Sequence, residues 1–94
     1  GHVPLIPYHR PGDAAVGDAV ASRIAAARDA GAPLRAVMVE RLGPNVWHES
    51  PAAASAVLEE LEETAKLWLL TGRSVAPLGE ARIEELRQAF GARW

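Results

Sequence analysis

The chain has 94 residues, of which 49% are hydrophobic and 23% charged, and we expect one globular unit, residues 1–94, with a modest core. A net charge of −2 and a pI near 5.9 provide no basic field for a phosphate backbone, which argues against nucleic acid as a partner. The absence of cysteine excludes disulfides and thiol chemistry. With no signal peptide and no apolar stretch near the roughly 20 residues that cross a bilayer, we expect a cytoplasmic location without membrane contact.

The first third of the chain predicts an extended segment, a turn and a helix. Val3–Tyr8 is apolar but contains two prolines, which cannot donate to a strand ladder, so it predicts an edge strand. Pro11–Asp13 predicts a turn. In Ala14–Ala30, apolar residues recur at spacings of three and four, which is typical of an amphipathic helix, and Gly31 favours its end.

The middle of the chain predicts a buried strand, a hairpin and a second helix. Arg35–Arg41 encloses a short apolar run that suits a strand covered on both faces. Gly43-Pro44 predicts the hairpin turn, and Asn45–His48 predicts the returning strand. Ser50 followed by proline predicts a helix start, because serine accepts from a free first-turn amide and proline needs no intrahelical donor there.

The second helix is expected over Pro51–Gly72, held by an apolar stripe that packs on the core. The stripe residues are Ala54, Val57, Leu58, Leu61, Ala65 and Trp68. The glutamates between them predict a solvated face, since a metal site needs carboxylates that converge from several directions. A last helix is predicted over Glu80–Phe90, with Gly91 as its stop. Trp94 is expected either to dock on a neighbouring subunit or to stay unpacked.

Four segments in order resemble the class II aldolase/adducin family. Arg41–Pro44 aligns with an Asn-His-Gly-Pro motif that follows a buried strand in the family. Val3–Asp13 is similar to the Val-Pro-Leu-Val-Pro-Tyr-Tyr-Arg-Pro-Gly-Asp segment of the branch that decarboxylates 3-oxo-tetronate 4-phosphates. Leu58–Leu67 and Ile83–Gly91 resemble the last two helices of that branch. The resemblance is to the C-terminal half of the family domain and covers nearly the whole chain.

The resemblance implies an α/β fold in which a small sheet, an edge strand plus a hairpin, packs with three helices, as in the C-terminal half of the family's α/β/α fold. It also implies that Leu42 stands where the family has a histidine ligand to a divalent zinc ion, and an aliphatic side chain cannot bind a metal. In the family, the other ligands and the phosphate-binding turns lie in an N-terminal half. This chain has no His-x-His pair, so we predict no metal site and no cofactor.

Few other residues are candidates for a site. Tyr8, His9 and Arg10 match the family's Tyr-Tyr-Arg and could face a phosphorylated sugar acid, with Arg10 as the anion contact. Without the phosphate-binding half, a loop that packs on its neighbours is the better explanation of them. The three histidines lie on separate segments without ligand spacing, which favours independent roles. Glu40 and Arg41 predict an ordinary solvated pair at a strand end. No catalytic residue is assigned.

Three hypotheses follow from these observations. The first is a non-catalytic structural or interaction module that has lost its metal ligand and covers its incomplete surface with a second copy of itself, as a homo-oligomer. The second is a fragment or subunit of a metal-dependent class II aldolase or decarboxylase, a lyase for phosphorylated sugar acids, completed by an N-terminal half. The third is a sugar-phosphate or anion binder that uses Tyr8, His9 and Arg10.

Overall fold

The computed structural model describes residues 2–92, so Trp94 and the expectation for it lie outside the described residues. The described part has three strands and three helices. In chain order they are β1 (Leu5–Ile6), α1 (Ala14–Asp29), β2 (Ala36–Val39), β3 (Gly43–Val46), α2 (Pro51–Leu70) and α3 (Glu80–Phe90). The predicted α/β class, with a small sheet and three helices, is confirmed.

The three strands form one sheet in the order β1-β2-β3. β1 runs parallel to β2, with Ile6 opposite Val39, and α1 makes the crossover between them. β3 runs antiparallel to β2, with Val37 opposite Asn45. β2 is therefore the central strand, and β1 is the edge strand that its two flanking prolines predicted.

The hairpin turn lies two to three residues earlier than predicted. The chain reverses over Glu40–Leu42, and Gly43 and Pro44 belong to β3, where Pro44 pairs with Met38. The predicted hairpin is confirmed, since Asn45 and Val46 pair antiparallel with β2, but the prediction of a Gly43-Pro44 turn was wrong and the strand covers Gly43–Val46 instead of Asn45–His48. The physical reason is that β3 is an edge strand, where a residue without a backbone N–H can face away from the ladder.

The core is small and centred on β2. The buried side chains are Ile6, Leu34, Ala36, Val37 and Val39, and Val37 is completely inaccessible to solvent at 0% exposure. Half-buried residues of α1, together with Trp47, pack against this cluster. Both faces of β2 are thus covered, as the apolar run predicted, and one short strand organises the whole hydrophobic interior.

Local capping explains where the helices begin and end. The Ser50 hydroxyl accepts a hydrogen bond from the Ala53 amide at 3.2 Å, and α2 starts at Pro51 as predicted. The Asp13 carboxylate accepts from the Ala15 amide at 2.9 Å and caps α1. Gly91 ends α3 in the left-handed conformation, with φ of 63°. These ends could be predicted because each depends on one or two adjacent residues.

The second half of α2 extends beyond the sheet. A helix of 20 residues is about 30 Å long, whereas a strand of four residues spans about 13 Å. Ala54, Val57 and Leu61 are half-buried, but the stripe continues into exposed residues. The expectation that Leu58, Ala65 and Trp68 pack on the core was therefore wrong. Ala65 and Trp68 lie beyond Leu61, the last half-buried residue of α2, and Leu58 lies to one side of the half-buried residues.

The second half of α2 is exposed to solvent, and Trp68 is an example. Its side chain is 47% exposed, and the guanidinium of Arg73 lies 5.4 Å from the centre of its ring, a cation–π contact at the protein surface. Despite the length of α2, no helix within residues 2–92 is apolar enough to cross a membrane. Leu67, Leu69 and Leu70 in the last turns of α2 are also exposed, by 54%, 57% and 74%.

Replacement of Val37 tests the importance of the central strand. Val37→Ala removes two buried methyl groups and should lower the free energy of unfolding by about 2 kcal/mol, because the lost burial and the resulting cavity add together. Urea denaturation measures this difference. Val75→Ala, at a site that is 57% exposed, is the control and should change stability by less than about 0.5 kcal/mol. Equal effects of the two substitutions would contradict the assignment of β2 as the core strand.

Candidate functional site at the carboxyl edge of the sheet

The parallel strands β1 and β2 end at the same edge of the sheet. The segment after β1 carries Tyr8, His9 and Arg10, and the turn after β2 carries Glu40, Arg41 and Leu42. The carboxyl ends of parallel strands are where ligands bind in many α/β proteins. The structure therefore brings the predicted substrate-binding segment and the predicted metal-ligand position to one edge.

Glu40 connects the two segments. Its backbone N–H donates to the carbonyl of Ile6 at 2.9 Å, and its carboxylate accepts a hydrogen bond from the backbone N–H of Tyr8 at 3.0 Å. The prediction of an ordinary solvated Glu40–Arg41 pair missed this contact, since only the parallel pairing of β1 and β2 brings residues 8 and 40 together. Glu40 therefore holds the start of the Tyr8–Arg10 segment against the end of β2.

The Tyr8–Arg10 segment is anchored at its far end as well. The amide of Asp13 donates to the carbonyl of Arg10 at 3.1 Å, which closes a tight turn. The imidazole Nδ1 of His9 lies 3.7 Å from the Asp13 carboxylate that caps α1. Tyr8 is 49% exposed, and Arg10 is also exposed. The backbone is thus fixed at both ends, while the phenol and the guanidinium remain accessible to solvent.

Leu42 lies in the exposed hairpin turn. Its amide donates to the carbonyl of Val39 at 3.1 Å, and its side chain is 59% exposed. The preceding Arg41 has φ of 64°, in the left-handed region where glycine or asparagine is preferred. The left-handed conformation costs a residue with a Cβ atom about 1 kcal/mol. Leu42 is therefore a surface residue, presented by a strained turn, and does not belong to the core.

The described structure keeps the histidines apart. His9 lies near the carboxyl edge, whereas His48 follows β3 at the opposite end of the sheet, where its Nδ1 accepts from the Glu49 amide at 2.8 Å. Within residues 2–92, no three histidine, aspartate or glutamate side chains are grouped so that they could hold a metal ion. His2 lines two clefts of about 400 and 460 Å³, and neither cleft includes Tyr8–Arg10 or Leu42.

Comparison with known proteins identifies the class to which this architecture belongs. The family model described as Class II Aldolase and Adducin N-terminal domain matches residues 1–69. The chain belongs to the class II aldolase/adducin family, and the resemblance seen in the sequence is confirmed. No solved structure matches the chain.

The chain is similar to 3-oxo-tetronate 4-phosphate decarboxylases of several bacteria. It is 50% identical to the Cupriavidus necator protein over 99 aligned positions, which cover 100% of this chain and 42% of that protein. The Escherichia coli K12 protein is 40% identical over 88 positions, with 93% of this chain and 38% of that protein covered. These relatives confirm the decarboxylase branch, and the chain spans about two fifths of their length. That the matched part is their C-terminal half stays a prediction.

Removal of the Glu40 carboxylate tests whether this residue holds the site together. Glu40→Ala should speed hydrogen exchange at the Tyr8 amide and lower the free energy of unfolding by about 1 kcal/mol, because one hydrogen bond between the two segments is lost. Glu40→Gln keeps an acceptor oxygen and should preserve most of the protection. Glu59→Ala, on the exposed side of α2, is the control. Unchanged exchange at Tyr8 in Glu40→Ala would contradict the contact.

Proposed function

We propose that this chain is a class II aldolase-type half-domain that has lost one metal ligand and serves as a non-catalytic structural or interaction module of the cytoplasm. The observation that carries the proposal is the position of Leu42. It lies in the turn that follows a buried strand of a family member, at the position where the resemblance implies a histidine. Its exposure of 59% argues that this side chain does not serve the hydrophobic core.

The chemistry of the carboxyl edge supports the loss of the metal. Zinc in enzymes of this type requires three protein ligands with nitrogen, oxygen or sulfur donors, and Leu42 supplies none. The nearest carboxylate in the turn, that of Glu40, already accepts the Tyr8 amide. His9 lies against Asp13, which itself caps α1. The residues at this edge therefore do not fit a zinc site, and we assign no catalytic step to them.

A second candidate function is favoured by the decarboxylase relatives and by the accessible Tyr8–Arg10 segment. In this alternative, the chain is part of an assembled lyase that acts on a phosphorylated sugar acid. The exposed guanidinium of Arg10 could contact the phosphate group through two N–H donors, and Tyr8 could contact the sugar acid. The alternative requires metal ligands from elsewhere, because Leu42 cannot provide one.

Metal analysis and a decarboxylation assay distinguish the two functions. The purified chain should retain far less than one zinc ion per molecule after incubation with zinc and desalting, because Leu42 removes a ligand. It should not decarboxylate 3-oxo-tetronate 4-phosphate. The Cupriavidus necator decarboxylase, assayed in parallel, controls for substrate quality. Stoichiometric zinc or turnover by this chain would contradict the proposal and favour the lyase.

A further inference from the structure

Arg41 adopts an uncommon backbone conformation. Within residues 2–92, two residues other than glycine have a positive φ, Arg41 at 64° and Arg73 at 61°. A residue with a Cβ atom is disfavoured in this left-handed region, and residues held there concentrate at functional sites. A contact or a function is therefore expected to accompany each of these two arginines.

The contacts of the two arginines differ. The Arg73 guanidinium lies 5.4 Å from the centre of the Trp68 ring, and the Arg73 backbone N–H donates to the carbonyl of Trp68 at 2.9 Å. These two contacts fix Arg73 at the end of α2. The Arg41 side chain is exposed and has no hydrogen-bond, ion-pair or ring partner among the described residues. The conformation of Arg41 is thus not explained by packing within that part of the chain.

Arg10 carries a second unpaired guanidinium at the same edge of the sheet. Arg41 follows β2, and Arg10 follows β1, which is the parallel neighbour of β2. Glu40, adjacent to Arg41, accepts the backbone N–H of Tyr8 at 3.0 Å, and this hydrogen bond joins the two segments. Arg10 is exposed, and its side chain has no partner in the described part of the chain. Two permanent positive charges are thus presented to solvent from adjoining segments.

The acidic residues of this edge are held by other groups. The Glu40 carboxylate accepts the Tyr8 amide. The Asp13 carboxylate accepts the Ala15 amide at 2.9 Å and lies 3.7 Å from the imidazole of His9. Within residues 2–92 neither carboxylate forms an ion pair with an arginine. Because a guanidinium presents its N–H donors in a planar fork that matches carboxylate and phosphate oxygens, the two free groups at this edge fit an oxyanion.

We propose that Arg41 and Arg10 form a metal-free binding site for a small oxyanion with two negative charges, a phosphate or a dicarboxylate. Two permanent positive charges match the charge of such a ligand, and a guanidinium donates two parallel N–H bonds to its oxygens. The inference rests on the proposed function, because it assigns a ligand to an edge for which we propose no metal. The left-handed conformation of Arg41 is then part of the site, since it sets where this guanidinium leaves the turn.

Titration of the purified chain with sodium phosphate, and separately with sodium malonate, tests the site when backbone amide shifts are followed by nuclear magnetic resonance. A chelator removes metal ions, and sodium chloride keeps the ionic strength constant. We expect saturable shifts at the amides of residues 8–10 and 40–42. Saturation by either anion supports the site, the tighter of the two names the ligand, and absence of saturation with both overturns the inference. Failure of the proposed function is separate, since it would appear as zinc binding or turnover without the chelator.

Arg41→Asn is the decisive variant, because asparagine tolerates the left-handed conformation and carries no charge. It should fold like the original chain and weaken binding of the saturating anion about tenfold, since the charge-assisted hydrogen bonds of one guanidinium are lost. Arg10→Gln should weaken it to a similar extent. Arg35→Gln removes the same charge before β2, at the opposite end of this strand, and is the control that should leave binding unchanged. Equal weakening by all three variants, or unchanged binding in Arg41→Asn, would overturn the inference.

Discussion

The pairing of β2 with a neighbour on each side is the interaction on which the rest of the structure depends. On one side Met38 and Glu40 donate backbone hydrogen bonds to Pro4 and Ile6, both at 2.9 Å. On the other side the register with β3 sets Val37 opposite Asn45 and decides where the chain reverses. Val37, fully buried between these contacts, adds the apolar burial that holds the small sheet and α1 together. Without this strand, the segment after β1 and the turn after β2 would not meet at one edge.

The contacts that stabilise this fold are different from the donor atoms that a metal site needs. The capped helices, the parallel β1–β2 pair and the fixed Tyr8–Arg10 segment depend on backbone hydrogen bonds and on burial, and these survive a change at an exposed turn. A metal site instead depends on a donor atom at one position, and in the function that we propose Leu42 replaces that donor at an exposed position without disturbing the fold. The Glu40 carboxylate binds the loop backbone at the same edge, which gives this edge a structural role that needs no metal.

The sequence was sufficient for features that depend on neighbouring residues and insufficient for those that depend on distant ones. Ser50 before proline located the start of α2, and Gly91 located the end of α3, because a helix cap involves a few adjacent residues. The position of the hairpin turn was missed because Pro44 is tolerated only where the strand is an edge, which is a property of the sheet. The exposure of Trp68 and the contact of Glu40 with Tyr8 depend in the same way on how far the sheet reaches and which strands pair.

The β2–β3 register puts Leu42 in the turn and not in a strand, and contacts between backbone protons measured by nuclear magnetic resonance are the sharpest test of this placement. We expect cross-strand contacts between Val37 and Asn45 and between Val39 and Gly43. A register moved by one residue, with contacts between Val37 and Pro44 and between Ala36 and Asn45, would turn the side chains of β3 to the opposite face. That result would shift Leu42 relative to the carboxyl edge and contradict the interpretation of this position as a lost metal ligand.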